Sequence, residues 1–171
     1  VNHQSSIPKI LDFGVARATN ADIQITSMHT GVGQLIGTLA YMSPEQAAGD
    51  SSCIDARSDV YALGVIGYEL LAGQLPHALA GRGFADAARI IHDEDASPLS
   101  LVNRVFRGDL DTIFATALAR EPERRYPSAG AFALDIQRYL DDQPIIARPP
   151  SAIYNLRKFA HDAGCRDAFE I

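Results

Sequence analysis

The chain has 171 residues, 47% hydrophobic and 21% charged, the size and balance of one globular domain and not of a disordered segment. Its formal charge of −6 argues against nucleic acid as the main partner, because phosphate binding needs a basic face. Two cysteines, Cys53 and Cys165, are too few for a disulfide framework and read as reduced thiols of a cytoplasmic protein, and no apolar stretch approaches the roughly 20 residues of a membrane helix.

The opening segment, VNHQSSIPK, has neither the basic start nor the hydrophobic centre of a secretory signal. It begins without methionine, and the sequence is expected to be a piece of a longer chain. Residues 7–11 form a short apolar run that predicts a strand, closed by Asp12, Phe13 and Gly14. Residues 18–38 are polar, rich in Gly, Thr and Ser, and without period. They predict a long loop of the kind that carries function.

Helices follow. Residues 58–73 (SDVYALGVIGYELLAG) start with a cap-type serine and a first-turn acid, and Gly73 stands where a helix-ending glycine belongs. Between those ends the segment is apolar almost all round and is expected to be buried on all sides. Gly64 and Gly67 cost helix stability there, which implies a close approach by a neighbouring element. Residues 84–95 predict a shorter amphipathic helix ending in a solvated acidic run. Residues 109–120 predict another, with Leu110, Ile113, Phe114, Ala117 and Leu118 on one stripe. Residues 128–142 predict a third, with Phe132, Ile136, Tyr139 and Leu140 on one side. QPIIARPPS breaks the helical pattern and reads as a stiff linker, followed by a last amphipathic segment.

Four segments in fixed order carry a resemblance: LDFGVAR, GTLAYMSPEQ, RSDVYALGVIGYELLAGQLP and EPERRYPSA. Together they resemble the C-terminal lobe of a bacterial-type serine/threonine protein kinase, from the metal-binding DFG segment to the end of the domain. The implied fold is mainly α, a kinase C-lobe helical bundle with one short β element near the N-terminus and no N-lobe. The implied organisation is a kinase-domain part over residues 1–142, with an activation segment over 12–45. A proline-containing linker and amphipathic tail would then occupy 143–171.

The resemblance also implies roles. Asp12 would chelate the Mg²⁺ that bridges the phosphates of ATP, with Phe13 packed inward and Gly14 allowing the turn. Thr38 would reach the catalytic aspartate, and Leu39, Ala40, Tyr41 and Met42 would form the pocket for the residue after the phosphoacceptor. Ser43-Pro44-Glu45 stands where the family usually has Ala-Pro-Glu. Glu45 would pair with Arg125, or with the adjacent Arg124, to fasten this loop to the helical base. Asp59 would accept hydrogen bonds from the catalytic loop, although a first-turn acid also suits the helix dipole. Thr26, Ser27 and Thr30 are the candidate phosphosites of the loop.

The Gly-rich loop, the ATP-anchoring lysine and the His-Arg-Asp catalytic loop are not found in these 171 residues. The two lysines, Lys9 and Lys158, occupy neither anchoring position. The chain alone is therefore expected to be inactive and poorly soluble, with the N-lobe of the same kinase and protein substrates as its partners. The competing reading is a non-catalytic lobe that docks proteins. GVGQLIG (31–37) is one residue too long for a phosphate-binding glycine motif, CRD (165–167) lies on the wrong side of DFG, and the five histidines show no metal spacing and read mostly as surface residues.

Overall fold

A computed structural model of the chain describes residues 37–50 and 52–148. Six α-helices lie wholly within them: α1 (Pro44–Ala47), α2 (Ala56–Ala72), α3 (Phe84–Asp93), α4 (Leu99–Val102), α5 (Asp109–Ala117) and α6 (Ala129–Leu140). Two 3₁₀ turns, Arg104–Phe106 and Pro122–Arg124, precede α5 and α6. The described residues contain no strand, so the architecture is that of a helical lobe. The strand expected at 7–11 and most of the loop expected at 18–38 lie outside them.

α2 is the centre around which the rest is laid. Its Val60, Tyr61, Val65 and Tyr68 are buried against α5 and α6, where Phe114 and Phe132 meet edge to face with ring centroids 5.8 Å apart. The two glycines mark the seam. A Cβ at Gly67 would lie 2.9 Å from the Phe114 ring, and one at Gly64 would lie 3.1 Å from Ala117. The helix stops at Gly73, whose φ of 68° is the left-handed geometry that glycine adopts without strain.

Three expectations for these helices need correction. α2 begins at Ala56, and Asp55, not Ser58, caps it by accepting from the Arg57 amide at 2.7 Å. Asp55 is three residues upstream, so Ser58 falls inside the first turn and is buried. α2 is also not buried on all sides: Leu63, Ile66 and Leu70 form a stripe opposite the core and are 42%, 44% and 81% exposed. A uniformly apolar sequence cannot reveal which face its neighbours cover. In α6, Leu140 is exposed, and the carboxylate of Asp135 takes the buried place.

Asp135 is buried because it is fully used. It accepts from the Tyr126 hydroxyl at 2.9 Å and from the backbone amides of Ile146 and Ala147 at 2.6 and 2.8 Å. Residues 143–148 consequently lie along α6, with Ile145 in the core and Arg148 bonded to Asp109 at 2.9 Å. A second, smaller core joins α3 to the start of the described chain, packing Ala87, Ile90 and Ile91 against Leu39, Ala40 and Leu79.

Candidate functional site

The described site is the segment 38–45 and the groups that fasten it. Ser43 and Pro44 set α1 in motion: proline at the first helical position needs no amide donor, and the Gln46 side chain accepts from the Ser43 amide at 3.0 Å. That short helix aims Glu45 inward. The Arg125 guanidinium meets it as a fork, Nη1 donating to Oε1 at 2.8 Å and Nη2 to Oε2 at 2.7 Å. Ser58 Oγ adds a bond to Oε1 at 2.6 Å. Both charged side chains are buried, so each depends on the other for its solvation.

Arg125 is bonded on every side. Its Nε donates to the Ala119 carbonyl at 2.7 Å, Nη2 also to the Arg120 carbonyl at 2.8 Å, and Nη1 also to the Arg57 carbonyl at 3.2 Å. The guanidinium carbon lies 5.1 Å from the centroid of the Tyr61 ring. Burial on its own would raise the Glu45 carboxyl, but the bonds from Arg125 and Ser58 outweigh it and hold the group at about 2, against an ordinary 4.5. Glu45 is an anion throughout the physiological range.

Above this anchor, Leu39 and Ala40 are buried in the second core and Thr38 is exposed. Tyr41 packs against both cores, and its hydroxyl donates to Glu69 of α2 at 2.6 Å. The segment is thus pinned by apolar contacts at one end and by an ion pair at the other, with an exposed threonine at its edge.

The remaining candidate residues fall as follows. Asp59 is exposed in the first turn of α2. Arg124, the alternative partner for Glu45, is exposed and reaches Glu121 at 3.4 Å. Asp12, Phe13, Gly14, Thr26, Ser27 and Thr30 lie outside the described residues. Among those described, no group of three or more His, Cys, Asp or Glu could hold a metal ion. Two residues of the site escaped sequence reasoning, Ser58 and Tyr61, and so did the burial of His77 outside it. Ser58 looked like a cap and Tyr61 like core. His77 is buried, unlike the surface histidines expected, and the one hint was its place in the apolar run Leu75–Leu79.

A family model described as "Protein kinase domain" matches residues 1–129. The serine/threonine-protein kinase PknB of Mycobacterium tuberculosis is 41% identical over 136 residues, and that of Mycobacterium leprae 40%; each alignment covers 80% of this chain and 21% of the relative. The serine/threonine-protein kinase Pkn1 of Myxococcus xanthus is 38% identical over 138 residues, 80% of this chain and 18% of its own length. The chain thus spans about a fifth of the length of these curated relatives.

Proposed function

This chain belongs to the protein kinase domain family, of the bacterial serine/threonine type, and from that premise we propose that it forms the helical lobe on which a serine/threonine kinase presents its phosphoacceptor. In this reading residues 1–142 belong to the kinase domain, whose 12–45 stretch is the activation segment, and 143–171 lead out of it. Segment 38–42 is the acceptor platform: Thr38 faces the acceptor hydroxyl, and Leu39 and Tyr41 shape the seat of the next residue. Glu45 and Arg125 hold that seat in place. Asp12 is the ligand for Mg²⁺, flanked by Phe13 and Gly14, and bound Mg·ATP supplies the phosphoryl group. Thr26, Ser27 and Thr30 are proposed as phosphosites, and Asp59 as a support for the catalytic loop. The lobe works in the cytoplasm, where ATP is available.

One observation carries the reading: an exposed threonine on a segment whose two ends are tied into two separate cores, one through a buried bidentate ion pair. Phosphoryl transfer depends mainly on positioning, and that arrangement positions. A lobe that only docks proteins has no need for the acid at position 12.

The test joins the upstream half of a relative's kinase domain to this chain and supplies labelled ATP and a serine/threonine peptide. Transfer by the chimera, its loss in Asp12→Ala, silence from the 171-residue chain, and phosphate on Thr26, Ser27 or Thr30 are the expected results. A chimera that gives an ATP-dependent thermal shift but transfers nothing, or a purified chain that transfers unaided, overturns the proposal.

A further inference from the structure

A second buried polar contact in this lobe has no part in the reading above. Tyr61 Oη lies 3.1 Å from His77 Nε2, with Tyr61 only 1% and His77 only 7% exposed. Tyr61 is also the ring that lies beneath Arg125, and Arg125 is the partner of Glu45. An unbroken line of buried groups therefore runs from the stretch 74–83, between α2 and α3, through α2 to the platform. The same stretch meets the platform again on its apolar side, where Leu79 packs with Leu39 and Ala40.

We propose that His77 is a positioning residue for the platform: neutral, it holds Tyr61 flat beneath the Arg125 guanidinium, and on taking up a proton it releases the 74–83 stretch and loosens residues 38–45 with it. That the platform receives a phosphoacceptor rests on the kinase reading; the linkage between the two segments does not.

The chemistry follows from counting donors. With its proton on Nδ1, the neutral imidazole accepts at Nε2 from the Tyr61 hydroxyl, and that single hydrogen bond satisfies both atoms. In the imidazolium both ring nitrogens are donors, so Tyr61 Oη can only accept and its own proton loses its acceptor. A second cation then sits behind a ring whose other partner is Arg125. The groups that face His77 pull in opposite directions. Burial pushes its pKa down, while the carboxylates of Glu94 and Asp95, just beyond the end of α3, push it back up, and burial wins. A histidine with a depressed pKa stabilises the fold above its ordinary value of 6.5, and that contribution disappears as pH falls through the folded-state value.

The experiment is hydrogen–deuterium exchange on the full chain at about pH 7.5 and about pH 5.5, corrected for the intrinsic rates, either side of the ordinary histidine range. In the unmodified chain, peptides covering 74–83 and 38–47 are expected to lose protection together at the lower pH, by roughly tenfold. His77→Phe keeps the volume without the titration, and both peptides should then be insensitive to pH. Should that variant fail to fold, His77→Gln, which hydrogen-bonds but does not titrate here, must give the same insensitivity. Tyr61→Phe keeps the ring under Arg125 but cuts the polar link, so acid should still open 74–83 while 38–47, coupled to it only through the Leu79 contact, loses less protection than in the unmodified chain. Protection of 38–47 that ignores pH in the unmodified chain, or a pH response that survives removal of the imidazole, overturns the proposal. None of these readouts needs catalysis, so an inactive chimera leaves the result standing.

Discussion

Arg125 brings five N–H donors into the interior, and the fold gives each of them an acceptor. Lysine has neither the planar fork nor the number of donors to replace it. Truncating either member of the pair strands a buried charge, so Glu45→Gln should cost on the order of 3–5 kcal/mol, read as a shift in the denaturant midpoint. The same carboxylate sets the acid limit. Its folded-state pKa of about 2 lies below the ordinary 4.5, so its contribution, about 3 kcal/mol, is complete above pH 4.5 and is lost as pH falls toward 2. Denaturant midpoints measured down that range should fall steeply in the unmodified chain and less steeply in Glu45→Gln. At this scale the contact was legible through the family resemblance that the Ser-Pro-Glu segment and the paired arginines help to carry, and adjacency left Arg124 open as a partner. The supporting Ser58, Tyr61 and His77 were not readable. Their partners stand 13 or more residues away, and nothing local distinguishes a bonded hydroxyl or imidazole from a solvated one.

Among the elements, α2 shows what pattern alone can and cannot tell. Glycines at 64 and 67 in a strong helix-forming run implied close packing, and the aromatic edge of Phe114 now occupies that space. Gly67→Ala would gain about 1 kcal/mol of helix propensity but drive a methyl into a ring fixed edge to face against Phe132. The clash wins, and thermal or chemical unfolding should show a net loss of about 1 kcal/mol; a stabilised variant would mean that the seam is looser than drawn. The exposed stripe of the same helix was not legible, since Leu63, Ile66 and Leu70 are as apolar as the residues that face α5 and α6. The burial of Asp135 is illegible for the opposite reason. An acid in mid-helix looks solvated until the tyrosine hydroxyl and two amides that surround it are known.

For the molecule as a whole, two cores share one platform, and apolar surface remains at Leu63, Ile66 and Leu70 and again at Leu101 and Val105, which are 77% and 78% exposed. Surface of that kind drives association when nothing covers it. Sedimentation of the isolated chain should show an apparent mass that rises with concentration, and the pair of changes Leu63→Glu and Leu70→Glu should reduce it. A monodisperse monomer that melts cooperatively would refute this.

The anchor also has a place in time. Glu45 and Arg125 are 80 residues apart in the chain, and nothing nearer supplies the fork that Glu45 needs. During synthesis the carboxylate leaves the ribosome long before its guanidinium exists. The acceptor loop of a nascent lobe therefore stays unfastened until the helix-to-helix turn carrying Arg125 has been made, and only then does the growing polypeptide acquire a finished seat.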